Sequence, residues 1–353
     1  MTTSSDISLE SIAFDHERVV MVTGERSGLP IIVAVHSTVL GQALGGARVW
    51  SYPHWTDALT DALRLSEGMT LKNAAAGLAR GGGKSVVCLP LGATLTDAEK
   101  RNAMLDLGDA VESLGGSYMT AEDVGTSAEL MSIVAERTAH VVGLPPEEGG
   151  VGEPADATAA GVHASILATL EALFGTRDLA GRHLVISGLG QVGGRLARSL
   201  TAGGARLSVA DVNPARKELA DELGAAWVGI DEALTLEADL LVPCGLGGVL
   251  TSDVIRNLRV RGVVGAANNQ LAHVEQAAEL AERGILWAPD FVVNAGGVIY
   301  LAMASEPGAD AAAIDERVAT IGETVAQVFR DAAAAGTTTL DAALALARAR
   351  LEA

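Results

Sequence analysis

The stretch 183–211 limits the possible folds more than any other part of this chain. An apolar run, His183-Leu184-Val185-Ile186-Ser187, leads straight into Gly188-Leu189-Gly190-Gln191-Val192-Gly193. A helical pattern follows from Gly194 to Ala202, and a second apolar run ends in Ala210-Asp211. A lone G-x-G-x-x-G is a weak signal. Here it follows a strand, opens a helix and has an acid 23 residues after its first glycine, at the end of the next strand. Gly188 permits the tight turn, Gly190 lets a pyrophosphate approach the backbone, and Gly193 lets helix and strand pack closely. The unpaired N–H groups of the helix N-terminus suit phosphates. The expected ligand is a dinucleotide held by Gly188, Gly190, Gln191, Val192, Gly193 and Asp211. Asp211 can accept hydrogen bonds from both adenosine-ribose hydroxyls, and a 2′-phosphate would bring negative charge against it. NAD is therefore expected over NADP, although Arg216 and Lys217 nearby in sequence work against that preference.

The rhythm continues beyond residue 157. Strand-like runs at 206–210, 239–243 and 262–266 alternate with helical or loop segments, as in a doubly wound parallel sheet. The first third is mixed. Residues 30–36 and 85–91 read as short buried strands. Residues 54–68 read as an amphipathic helix with Ala58, Leu59, Ala62, Leu63 and Leu65 on one side and Asp57, Asp61 and Arg64 on the other. Residues 97–114 read as a helix capped by Thr96. The Pro-, Gly- and acid-rich segment 143–157 reads as a linker, and the Ala-rich 311–353 as helix. At 353 residues the chain fits two domains. The expected organisation is α/β: an N-terminal α/β substrate domain over 1–142, joined by the C-terminal helix 325–353, and a Rossmann-type doubly wound dinucleotide-binding domain over 143–324, with a cleft between them.

Charge narrows the partners. Lys and Arg number 25 and Asp and Glu 44, for a net charge of −19. Such a surface repels phosphate backbones and anionic lipid, so neither nucleic acid nor membrane is an expected partner. Asp6, Glu10, Asp15, Glu17 and Arg18 interrupt any apolar leader, and no apolar run reads as long enough to cross a bilayer. Cys88 and Cys244 lie far apart in apolar runs and read as free thiols, which fits a reducing cytosol and a cytoplasmic location. The Cys and His spacings match no zinc pattern, so no metal is expected. Mean hydropathy is +0.30, high for a monomer, and a homo-oligomer is expected.

Two lysines stand among small and apolar residues, Lys72 in Met69-Thr70-Leu71-Lys72-Asn73 and Lys84 after Gly81-Gly82-Gly83. A partly buried lysine near a second cation has a lowered pKa, which makes a neutral amine available as a general base. The three glycines read as a place where backbone approaches a ligand closely. Glu122 and Asp123 follow the strand-like 117–119, where carboxylates either line a site mouth or cap a helix.

Together, Leu44-Gly45-Gly46-Ala47-Arg48, Lys72, Gly81–Lys84, Thr120–Thr126, Pro243–Gly248, Gly265–Asn269 and Pro289–Gly297 resemble the glutamate/leucine/phenylalanine/valine group of amino-acid dehydrogenases, in the same order from about Ser37 to about Leu301. The resemblance implies NAD-dependent, reversible oxidative deamination of an L-amino acid to its 2-oxo acid and ammonium. It implies that Lys72 binds the substrate carboxylate and Lys84 is the base that activates water. Asp123 exchanges protons with the amino group. Gly46 and Asn268 hold the substrate, and Thr158 contacts the nicotinamide amide. Cys244 and Asn294, inside matched blocks, fall to the cofactor side. Leu44 stands where glutamate-using members carry a lysine. An apolar wall there gives a distal carboxylate no partner, so an apolar substrate is expected. Ala121, Val298 and Leu301 match other wall positions, and Met69 is a further candidate for the pocket wall. Ala121 resembles the leucine and valine enzymes and Leu301 the phenylalanine enzymes, while the segment Leu301–Gly308 departs from the leucine/valine pattern. One methylene discriminates by only ~1–3 kcal/mol, so Leu, Val, Ile, Phe and Trp all stay open. The rival readings are a catalytically dead dinucleotide-binding subunit and a hydroxy-acid enzyme with a histidine base. The first is opposed by the presence of both lysines and Asp123, the second by the lack of a histidine in any matched block.

Overall fold

The computed structural model describes residues 14–148, 150–306 and 308–353. Asp6 and Glu10 of the acidic leader, Gly149 of the linker and Pro307 of the divergent segment lie outside the described residues. The chain divides into two compact bodies. One comprises the residues up to Thr70 together with Ala79–Gly150, the other Leu71–Leu78 with Val151–Ala353.

The first body is built on strands β1 (Arg18–Thr23), β2 (Pro30–Ser37), β3 (Ala43–Tyr52), β4 (Gly81–Pro90) and β5 (Tyr118–Glu122). Its helices are α1 (Trp55–Ala75), α2 (Asp97–Glu112) and α3 (Ala128–Ala135). The strand order is β1-β2-β4-β3-β5. β2 runs antiparallel to β1 and β4, while β3 runs parallel to β4 and β5. Successive residues of a strand point to opposite faces. Ile31, Val33, Val35 and Val87 therefore pack with Met104, Leu107 and Val134 of α2 and α3. Ile32, Ala34, Val86 and Cys88 pack with Ala58 and Ala62 of α1. Both faces are covered, so β4 is buried over nearly all its length.

Its glycine run has a different cause from the one expected. A Cβ on Gly81 would lie 1.9 Å from the Ser37 carbonyl oxygen, one on Gly82 2.0 Å from the Thr70 nitrogen, and one on Gly83 2.5 Å from the Tyr118 ring. The room a ligand was expected to use is filled by β2, α1 and Tyr118.

The second body carries β6 (His183–Ser187), β7 (Arg206–Ala210), β8 (Ala226–Trp227), β9 (Ala238–Pro243), β10 (Val260–Val263) and β11 (Leu286–Trp287). All pairings are parallel, in the order β11-β10-β9-β6-β7-β8. The strand order reverses at β6, as in the doubly wound dinucleotide fold. The helices are α4 (Ala155–Phe174), α5 (Gln191–Ala202), α6 (Lys217–Glu222), α7 (Ile230–Ala233), α8 (Ser252–Asn257), α9 (Gln276–Glu282), α10 (Asp290–Val293), α11 (Gly296–Ala304), α12 (Ala311–Ala335) and α13 (Thr339–Leu351).

Two expectations are corrected. The segment 325–353 does not join the first body. It is split at Gly336, whose left-handed φ of 65° ends α12, and it packs within the second body, α12 against α4 and α11, and α13 against α12. The end of α1 belongs there too. Arg317 donates to the carbonyls of Ala76 and Gly77 (both 2.6 Å), and Arg350 to those of Ala74 (3.0 Å) and Ala75. A helix C-terminus leaves carbonyls unpaired, and two arginines satisfy them here. The divide between bodies accordingly falls after Gly150 rather than at residue 142, and Leu71–Leu78 changes sides. The second correction concerns α4. Its 20 residues are long and apolar enough to pass a length-and-composition test for a membrane span. Its apolar surface is instead used against α12, α5 and α11, as in a core helix of an α/β layer.

Candidate active site

In the first body the site grows from β3, β4 and the end of β5. Lys84 lies in the middle of buried β4 and is only 5% exposed. Its Nζ is 2.8 Å from Asp123 Oδ2. Asp123 follows β5, and its amide donates to Thr126 Oγ1 (2.8 Å). That hydroxyl lies 3.0 Å from the Ala47 carbonyl, so the turn holding Asp123 is tied to β3. Burial pushes the Lys84 ammonium below the ordinary lysine range, against the pull of Asp123, and the Arg48 charge adds to the lowering. Burial alone would raise the Asp123 carboxyl, but Lys84 and Arg48 bring it down to about 2. The pair therefore combines a lysine whose charged form burial disfavours with an ionised carboxylate.

Gly46 pairs with Ala121 across β3 and β5. A Cβ at Gly46 would lie 2.7 Å from Asp123 Cβ, 2.8 Å from the Glu122 carbonyl oxygen and 3.3 Å from Lys84 Nζ, so glycine is what lets β3 run this close to the pair. Leu44, two residues earlier on the same face, is buried, as is Ala121. Met69 is half-buried, and its Cγ would be 3.4 Å from a Cβ on Gly45.

Sequence reasoning missed Arg48. Its Nε is 3.0 Å from Asp123 Oδ2 and its Nη1 2.9 Å from Asp61 Oδ2. Asp61 in turn accepts from Tyr52 Oη (2.7 Å) and Arg64 Nη2 (2.9 Å). Parity was the available signal, because Arg48 stands two residues past Gly46 and shares its face of β3.

In the second body Lys72 Nζ donates to Asn268 Oδ1 (3.1 Å), which also accepts from Asn294 Nδ2 (2.7 Å). Asn294 Nδ2 reaches the Ala266 carbonyl as well (3.1 Å), while its buried Oδ1 has no hydrogen-bond partner. A buried amide oxygen without a donor is costly. Asn269 adopts a left-handed φ of 51°, and its carbonyl accepts from the Gly248 amide (2.6 Å). Asp290, behind this cluster, accepts the amides of Gln270 (2.9 Å) and Phe291 (2.8 Å). Burial raises its pKa. Thr158 lies against Gly297, where a Cβ would approach its Oγ1 to 2.7 Å. On α11, Val298 is half-buried and Leu301 buried. Lys72, Asn268 and Asn294 thus meet in the second body, and Gly46, Lys84 and Asp123 in the first.

The glycine motif shows a distinct geometry at each position. Gly188 has φ 108°, and a Cβ there would meet the Cys244–Gly245 backbone at 2.7–2.9 Å. Gly193 would press the Gly188 carbonyl oxygen at 2.0 Å, with Cys244 Cβ at 3.1 Å. Gly190 has nothing within 4 Å and begins α5 without a side-chain cap. Gln191 is exposed and Val192 half-buried on the first turn. Asp211 Oδ2 accepts the Leu189 amide (2.6 Å) and Oδ1 the Asn213 amide (2.7 Å). Each oxygen keeps a second lone pair for a ribose hydroxyl. An open glycine, an uncapped twelve-residue helix and a carboxylate at the end of β7 fit a dinucleotide. Among the described residues no group of three His, Cys, Asp or Glu side chains could hold a metal.

Comparison with known proteins agrees with this geometry. Residues 10–140 match the family described as Glu/Leu/Phe/Val dehydrogenase, dimerisation domain, and residues 209–353 match Glutamate/Leucine/Phenylalanine/Valine dehydrogenase. The leucine dehydrogenase of Bacillus subtilis (strain 168) is 42% identical over 290 residues, which is 82% of this chain and 79% of that one. The phenylalanine dehydrogenase of Lysinibacillus sphaericus is 41% identical over 297 residues, 82% of this chain and 76% of that one. The crystal structure of L-tryptophan dehydrogenase from Nostoc punctiforme matches with a TM-score of 0.83 at 35% identity, covering 96% of each chain. With both profiles matched in order and relatives above 40% identity, the chain belongs to the glutamate/leucine/phenylalanine/valine dehydrogenase family.

Proposed function

We propose that this chain catalyses reversible oxidative deamination of an apolar L-amino acid. The products are the 2-oxo acid, ammonium and a proton, with NAD reduced and one water consumed. The observation that carries the proposal is the buried Lys84–Asp123 pair at 2.8 Å in a chain of this family. NAD, when bound, accepts the hydride that leaves Cα. Lys72, already directed at an amide oxygen, fixes the substrate carboxylate. Lys84, in its amine form, takes a proton from water as the water oxygen bonds to the imine carbon. Asp123 moves protons to and from the substrate nitrogen, so that the C–N bond breaks with ammonia as leaving group. Gly46 and Asn268 hold the substrate. Thr158, Cys244 and Asn294 serve the cofactor with Gly188, Gly190, Gln191, Val192, Gly193 and Asp211. The ribose diol on Asp211 favours NAD over NADP, and Lys217 is tied to Asp221 at 2.8 Å rather than offered to a phosphate.

Leu44, Met69 and Ala121 of the first body supply an apolar wall for the substrate side chain, and Val298 and Leu301 of the second body are apolar as well. Leucine, valine, isoleucine and phenylalanine fit such a wall, and the tryptophan dehydrogenase of Nostoc punctiforme favours a second reading with an aromatic preference. Glutamate is disfavoured by Leu44. The working form is a homo-oligomer, supported by the description of the first-body profile as a dimerisation domain. The free thiols Cys88 and Cys244 support a reducing, cytoplasmic setting.

Lys84→Ala tests the mechanism. The expected result is a loss of kcat by about 10²–10⁴-fold, the scale of a general base, with NAD binding by fluorescence titration unchanged. Unchanged turnover would remove Lys84 from the reaction.

A further inference from the structure

Arg48 and Lys84 both bond the same oxygen of Asp123, Oδ2, at 3.0 and 2.8 Å. Among the described residues Oδ1 accepts no hydrogen bond from a side chain or amide. Arg48 is itself braced. Its Nη1 lies on Asp61 Oδ2, which Tyr52 also occupies, while Arg64 holds Asp61 Oδ1.

We propose that Arg48 is a positioning residue: braced by Asp61, it fixes Asp123 through Oδ2 so that Oδ1 is the oxygen that exchanges protons with the substrate nitrogen. The proposal rests on the dehydrogenase reading above and adds to it the atom used and the residue that selects it. The physical argument is geometric. A carboxylate gripped at one oxygen by two cations cannot turn about its Cβ–Cγ bond without breaking both contacts. The planar guanidinium can serve two carboxylates at once, which an ammonium cannot do in the same fixed geometry.

Arg48 also acts through charge. The groups facing Lys84 are Asp123 from the end of β5, Arg48 from β3 and Asp61 from α1. Arg48 disfavours the Lys84 ammonium, and Asp61 favours it. Removing the Arg48 charge therefore makes the neutral amine available only at higher pH.

The test is the pH profile of kcat for wild type, Arg48→Gln, Arg48→Lys and Asp61→Asn with one apolar amino acid and NAD. In Arg48→Gln, kcat falls by about 10²-fold, the usual scale for a misplaced catalytic group. KM changes far less, and the acidic limb moves up by about one pH unit. Arg48→Lys restores the limb but only part of kcat. Asp61→Asn moves the limb to lower pH. This opposite sign also decides the matter should Arg48→Gln fail to fold. An unmoved limb in the folded Arg48 and Asp61 variants, or equal losses in Arg48→Gln and Arg48→Lys with the wild-type profile, would overturn the proposal and leave Arg48 a merely structural residue. Absence of turnover by the wild type on every apolar amino acid would instead overturn the reading beneath it.

Discussion

Lys84 sits where a lysine is expensive, inside a strand buried on both faces, and its neighbours explain why it is tolerated. Asp123 balances its charge at 2.8 Å, and Arg48 balances Asp123. The Lys84–Asp123 partnership was legible only through the family resemblance, since Asp123 alone reads equally well as a helix cap. Arg48 is hidden in the sequence because an arginine on a strand looks like a solvated side chain until its parity with Gly46 is counted. Two outcomes follow at this scale. Asp123 falls from 3.8 to about 2 on folding. Its contribution to stability is therefore complete above the unfolded value and is lost as pH falls through the folded one. Denaturant unfolding followed from pH 5 to pH 2 should show that loss, and Asp123→Asn should flatten it. Asp211→Ala should weaken NAD binding far more than NADP binding by titration, and equal loss of both would contradict the ribose assignment.

At the scale of elements, the strand–glycine–helix–strand unit was readable to the residue: β6 and β7 fall at 183–187 and 206–210 as expected. The reason is that turn, phosphate approach and helix packing each demand glycine at a fixed place. Strand β3 is not legible in the sequence, because Gly45, Gly46 and Arg48 break its apolar pattern. The long-range contacts that require those residues, with β4, β5 and α1, are invisible in one sequence. The Gly81–Gly83 run shows the same limit, since glycine signals crowding without saying whether protein or ligand does the crowding. The end of α1 depends on arginines more than 240 residues away, which no local pattern encodes. Gly193→Ala should abolish NAD binding while leaving the first body folded, because its Cβ has only 2.0 Å to the Gly188 carbonyl oxygen. Circular dichroism and NAD titration together check this. Tight binding by that variant would show that α5 can shift without cost.

For the whole molecule, sequence rhythm correctly separated a mixed α/β body from a doubly wound one, yet it misassigned 325–353 and 71–78. Composition identifies a helix but not the surface that receives it. The proposed homo-oligomer is supported by the family profile and by exposed apolar side chains such as Trp50, at 54%, and Leu91, at 67%. Sedimentation equilibrium should give a mass that is a multiple of 36.0 kDa, and a monomer at all concentrations would contradict it. The most direct test of the central claim is NADH formation by the purified protein with NAD and, separately, leucine, valine, isoleucine, phenylalanine, tryptophan and glutamate at alkaline pH. The account predicts turnover on one or more of the apolar amino acids and none on glutamate. Turnover on glutamate alone, or on none of the six while NAD still binds, would contradict it.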